Sequence, residues 1–120
     1  MPNGTPDPSF DSDGFQYVHS GYYAEGDDVK LDPQGRIYLA GTTGDQNAGT
    51  DSFLISRLLP SGSLDPSFGG TGVVRTKTRT PTDGRFNFLK IAELIIDAHG
   101  RPVISGNAGD HIAVVRYRAR

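Results

Sequence analysis

The sequence predicts an all-β protein made of two tandem, four-stranded antiparallel units. Three observations lead there. First, Asp7-Pro8-Ser9-Phe10 recurs as Asp65-Pro66-Ser67-Phe68, and Gly14 recurs as Gly72, both at an offset of 58 (65 − 7 and 72 − 14). An internal repeat of this length is the signature of a stacked supersecondary unit. Second, 16 Gly and 8 Pro in 120 residues punctuate the chain too often for a long helix. Third, the apolar runs are short, rich in Val, Ile, Leu, Phe and Tyr, and bounded by turn residues.

The elements follow from tracing the repeat. In the first copy, strands are expected at roughly Gly14–His19, Asp28–Asp32, Arg36–Gly41 and Ser52–Leu59. In the second they are expected at Val73–Thr78, Lys90–Asp97, Arg101–Gly106 and His111–Arg118. Val29 to Gly41 matches Leu94 to Gly106, and Asp51 to Leu58 matches Asp110 to Tyr117. Length changes fall around Thr76 to Phe86 and Thr42 to Thr50, where Gly, Thr, Asn and Asp cluster, as in loops between fixed strands. Asp32-Pro33-Gln34-Gly35 and Asp97-Ala98-His99-Gly100 carry Asp first and Gly last, the type I turn pattern, and predict a hairpin in each copy. Phe88–Ile96 has weak helical periodicity, but its counterpart reads as strand, and strand is the prediction. The whole chain, residues 1–120, reads as one domain of two repeats, about 7–64 and 65–120.

Phe53-Leu54-Ile55, Leu94-Ile95-Ile96 and Ile112-Ala113-Val114-Val115 are apolar at consecutive positions. A sheet with one wet face alternates, so these strands are expected to be buried on both faces by stacking of sheets. Four strands per repeat, stacked face to face, is the plan of a β-propeller blade. Two blades leave an apolar face open at each end, so completion by self-association of two to four chains is expected, propellers having about 4–8 blades. Closure of the two units on each other as a barrel or sandwich is one alternative, and a fragment of a longer repeat protein is another.

Formal net charge is −2 and the pI about 5.8, with a mean hydropathy of −0.42. This gives no pull toward nucleic acid or anionic membrane, and neither is expected as a partner. Cysteine is absent, so disulfide and thiol chemistry are excluded. No segment approaches the roughly 20 apolar residues of a membrane-spanning helix. The first residues, Met1 to Pro6, lack the basic and apolar regions of a signal peptide, so the chain as written reads as cytoplasmic or as a mature form whose leader is not shown.

Three segments together resemble the bacterial delta-60 repeat family: Ser63 to Gly72, Asp32 with Gly35 to Gly41, and Phe53 to Leu58 followed by Ser61 to Asp65. The resemblance spans nearly the whole chain as two units. It implies a β-propeller-like fold, often in secreted or surface proteins, with no established catalytic activity and no agreed ligand.

Several residues are candidates for a site. Arg57 and Arg116 recur in otherwise apolar strands. A buried Arg requires a partner, so they read as an internal ion pair, as exposed stems lying along apolar surface, or as a ring aimed at a central channel, where an anion would bind. Arg75, Lys77 and Arg79 alternate with Val74, Thr76 and Thr78, which puts three cations on one strand face. They read as edge protection or as contacts for phosphate or acidic polysaccharide. Arg116, Arg118 and Arg120 repeat that spacing. Tyr22 and Tyr23 read as blade-end packing or as aromatics that stack on a sugar. Asp7, Asp11 and Asp13 supply oxygens that suit Ca²⁺, the one cofactor considered, although Gly69 and Thr71 replace two of them in the second copy. Short Asp side chains also cap turns without metal. His19, His99 and His111 are scattered without metal-ligand spacing, and no Gly-x-Ser-x-Gly elbow is present.

The expectation is a non-catalytic scaffold or interaction module, a homo-oligomer that takes a protein or glycan ligand. A carbohydrate- or anion-binding module is the first alternative. A hydrolase with a central-channel site is the second.

Overall fold

The computed structural model describes residues 3–19, 23–45, 49–77, 89–108 and 111–119. Within them the protein is all-β, with two antiparallel sheets, no helix and no closed barrel. The first sheet has the order β1 (Tyr23–Leu31), β2 (Ile37–Asp45), β3 (Gly49–Leu58) and β4 (Val73–Lys77). The second has the order β5 (Leu89–Ile96), β6 (Pro102–Ala108) and β7 (His111–Arg116). Phe88–Ile96 is thus strand where it is described, and the insertion around Thr76 to Phe86 lies mostly outside the described residues.

The sheets do not divide the chain where the repeat does. Gly14–His19, expected as the first strand of the first unit, is not part of a sheet. Its counterpart after the second Asp-Pro-Ser-Phe loop is β4, which pairs backward with β3 of the first unit, Ile55 opposite Val74. Among the described residues each repeat therefore supplies three strands to its own sheet, and the strand after the second Asp-Pro-Ser-Phe loop joins the sheet of the first repeat. This is why the sheets hold four and three strands rather than four and four.

The duplication is visible in the register. Val29 pairs with Leu39, and Leu94 with Ile104, each 65 residues later (94 − 29, 104 − 39). Both first hairpins carry a β-bulge at the same place, between Gly26 and Asp28 and between Ile91 and Glu93. The bulge turns a carbonyl onto the facing strand. A Cβ on Gly41 would be driven into the carbonyl oxygen of Glu25, and one on Gly106 into that of Lys90. Only glycine fits opposite such a bulge. The hairpin turns also repeat. Asp32 Oδ1 accepts from the amides of Gln34 and Arg36 (3.0 and 2.9 Å), and Asp97 Oδ1 from those of His99 and Arg101 (both 2.9 Å). In each turn the other carboxylate oxygen takes the Nε of the arginine that follows the glycine.

The core lies between the two sheets. Tyr38, Ala40, Phe53 and Ile55 of the first meet Leu89, Ile91, Leu94, Ile104 and Ala108 of the second, with Phe68 among them. Two carboxylates on the first bulge fasten the sheets at one edge: Asp27 Oδ2 accepts from the Ile91 amide (3.2 Å) and Asp28 Oδ2 from the Leu94 amide (2.8 Å). β3 is buried on both faces from Ser52 to Leu58, as its unbroken apolar run implies. Its counterpart β7 is not. Ala113 and Val115 pack on the core, whereas Ile112 and Val114 point outward and are exposed. Among the described residues no strand or sheet packs over them.

Gly41→Ala and Gly106→Ala are each expected to lower the free energy of unfolding by about 1–3 kcal/mol through overpacking against backbone. Gly26→Ala meets nothing within 4 Å and is expected to stay within about 0.5 kcal/mol of wild type. Urea titration followed by circular dichroism checks all three.

Candidate functional site

The most strongly bonded cluster among the described residues centres on Arg57. It sits in β3 opposite Tyr38 of β2. Its side chain is 1% exposed. Burial of a guanidinium requires acceptors around the planar fork, and the Asp-Pro-Ser-Phe loop provides them. Nε donates to Asp65 Oδ2 (2.7 Å), and Nη2 to Ser67 Oγ (2.8 Å). Nη1 donates to the Tyr38 hydroxyl (3.0 Å) and to the Ala119 carbonyl (2.7 Å). The rings of Phe68 and Tyr38 stand edge to face, 5.7 Å apart. The guanidinium carbon lies 5.0 Å from the first ring centroid and 5.7 Å from the second, within cation–π range.

The same loop grips the Arg57 backbone. The Arg57 amide donates to the Gly72 carbonyl, and the Asp65 amide donates to the Arg57 carbonyl, both at 2.9 Å. The loop is preorganised by its own Asp. Asp65 Oδ1 accepts from the Ser67 amide (3.0 Å) and hydroxyl (2.6 Å), leaving Oδ2 for the arginine. Burial pushes the Asp65 carboxyl upward, but the Ser67 bonds and the Arg57 charge outweigh it and hold the carboxyl below the usual range.

Asp7-Pro8-Ser9-Phe10 forms the same loop without the arginine. Asp7 Oδ1 accepts from the Ser9 amide (2.9 Å) and hydroxyl (2.7 Å). The Gly14 amide donates to Phe10, as the Gly72 amide does to Phe68. Asp11 and Ser12 take positive φ (47° and 68°) where the second copy has Gly69 and Gly70 (64° and 84°). Asp7 has no arginine partner among the described residues. Arg116, the counterpart of Arg57, is exposed at the end of β7, and its side chain makes no hydrogen bond or ion pair with the described residues.

The remaining candidate residues scatter. Asp7 and Asp13 each bond a nearby backbone amide, those of Ser9 and Phe15. No group of three acidic or histidine side chains among the described residues is placed to hold a metal ion. Arg75 and Lys77 share an exposed face of β4, and Arg75 Nε donates to Ser52 Oγ (3.1 Å). Arg118 is exposed beyond β7. Tyr22, Arg79, Arg120 and the side chain of Tyr23 lie outside the described residues. An open cleft of about 700 Å³ between the two hairpin turns is lined by Arg36, Arg57, Ser67 and His99. The sequence pointed to an ion pair for Arg57 but not to its partner. The signal was there: Arg57 and Asp65 each belong to a recurring motif, and the motifs are neighbours in the chain.

Two antiparallel sheets packed face to face are consistent with the architecture of β-propeller blades. A protein-family model described as "Domain of unknown function (DUF5122) beta-propeller" matches residues 33–68, from the first hairpin turn through Phe68. No curated protein and no solved structure matches the chain.

Asp65→Asn leaves the buried Arg57 charge without its counter-ion and is expected to cost about 3–5 kcal/mol of stability. The depressed Asp65 carboxyl also sets a pH dependence. Its contribution is full above the unfolded value of about 3.9 and is lost as pH falls through the lower folded-state value. Between pH 5 and pH 2 the urea midpoint of wild type is therefore expected to fall further than that of Asp65→Asn.

Proposed function

We propose that the protein is a non-catalytic β-propeller-like repeat module that self-associates and serves as a scaffold or interaction protein. The observation behind this reading is the pair of uncovered apolar faces. Val29 and Leu31 lie open on the first sheet, and Ile112 and Val114 on the second. Contiguous exposed apolar surface on a sheet marks an interface. The strongest polar cluster supports the same reading, because Arg57 and Asp65 are occupied in holding a loop and two sheets together.

Carbohydrate or anion binding is a second reading. It draws on Arg75 and Lys77, side by side on an exposed face, and on the cleft that brings Arg36 and His99 together. Calorimetric titration with an acidic oligosaccharide tests it. Binding lost in Arg75→Ala/Lys77→Ala or in Arg36→Ala/His99→Ala supports it, and no heat signal removes its basis.

For the main reading, light scattering at micromolar concentration is expected to give the mass of two to four chains, which at two blades each make about 4–8 blades. A monomer at that concentration counts against self-association.

A further inference from the structure

We propose that copies of this chain join head to tail, the segment Asp7–His19 of one copy completing the second sheet of the next and clamping its Arg116. The inference rests on the self-association reading and assigns the joint. The contact between the two sheets inside the chain is its template.

Three features of that internal contact have unfilled counterparts at the outer surfaces. The first is the fourth strand. β4 follows the Asp65–Gly72 loop and adds to the edge of β3. The edge of β7 carries no strand among the described residues. The segment after the Asp7–Gly14 loop, Phe15 to His19, corresponds to β4 at the offset of 58 (73 − 15) and is unpaired. It is also already placed. Gln16 and Val18 lie over Leu39 and Leu54 on the outer face of the first sheet, as their counterparts Val74 and Thr76 lie against the second, Thr76 through its hydroxyl on Tyr117 (2.9 Å).

The second feature is the apolar face. Ile112 and Val114, 83% and 68% exposed, correspond to Phe53 and Ile55, which are buried against the second sheet. Val29 and Leu31 on the opposite side of the molecule correspond to Leu94 and Ile96, the residues of the second sheet that do the covering. One open face is thus the equivalent of the buried face of the first sheet, and the other the equivalent of its cover.

The third feature is the clamp. Arg116 occupies the position of Arg57, and its register partner is Val103 where Arg57 has Tyr38. Asp7, Ser9 and Phe10 reproduce the loop that holds Arg57. Among the described residues the exposed guanidinium has no carboxylate partner, and the preformed carboxylate loop has no guanidinium. Tyr38, which gives Arg57 both a hydroxyl acceptor and a ring face, has no counterpart at Val103. The contact is heterologous, so its repetition closes into a ring when the rotation permits.

Two charge insertions test the joint. Val114→Glu blocks the receiving face, and Val29→Glu blocks the inserting face. Both positions are exposed, and circular dichroism reports whether each variant keeps its strands. Each variant alone is expected to be a monomer by sedimentation velocity. An equimolar mixture is expected to form a species of two chains, because each retains the half that the other lost. Arg116→Ala and Asp7→Ala provide an independent route. Each is expected to weaken wild-type association on the order of thirtyfold or more, the effect of truncating one member of a buried charge pair. Association unchanged by all four substitutions, or a mixture that stays monomeric beside an assembled wild type, overturns the joint and leaves self-association standing. A monomeric wild type overturns both.

Discussion

The guanidinium of Arg57 is the point on which the two sheets agree. A charge taken out of water is tolerated only where acceptors replace the lost hydration. Here they come from separate parts of the chain: Tyr38 on β2, Asp65 and Ser67 in the loop after β3, and the Ala119 carbonyl beyond β7. A Lys carries one point charge on a flexible stem and does not span these directions, whereas the planar fork of Arg does. The arginine therefore fixes where the loop lies, and the loop decides where the chain enters β4. The side chain and backbone of one residue settle the passage from one sheet to the next.

The bulge in the first hairpin has a comparable role at the other edge. It breaks the regular ladder at Asp27 and places two neighbouring carboxylates beside the amides of β5. The two respond differently. Asp28 is held below the usual carboxylate range chiefly by the Leu94 amide. Asp27 is raised, chiefly by burial, with the Ile91 amide only partly offsetting it. The second copy keeps the bulge but replaces the pair with Ala92 and Glu93. The backbone of the unit is thus preserved while the groups that reach toward a neighbour differ.

Much of this architecture was legible in the sequence, because the repeat gives every element two witnesses. The hairpin turns were readable from Asp and Gly at fixed spacing, and the strand nature of Leu89–Ile96 from its counterpart in the first copy. Both copies of Asp-Pro-Ser-Phe were legible as one repeated motif, and both fold as the same Asp-capped loop. Sheet membership was not legible. Period-two patterning fixes which way a side chain faces but not which edge a strand joins, so Val73–Lys77 looked like the start of a unit rather than the end of the previous one. Gly41 and Gly106 were matched in the repeat, yet the carbonyl that forbids a side chain there is a property of the bulge, which leaves no local pattern. Ile112 and Val114 read as buried for the same reason as Phe53 and Ile55. The sequence specifies what a surface needs, and the fold decides whether the need is met within the chain.

The offset between repeat and sheet has a consequence for biosynthesis. The first sheet lacks its outer strand until Lys77 has left the ribosome, by which point translation of the second unit is well under way. The growing polypeptide must therefore wait with β3 unprotected along one side, and the loop that restrains Arg57 arrives just ahead of the strand that covers it. Early exposure of an edge invites errant pairing. The order Asp-Pro-Ser-Phe first, strand second keeps that interval short.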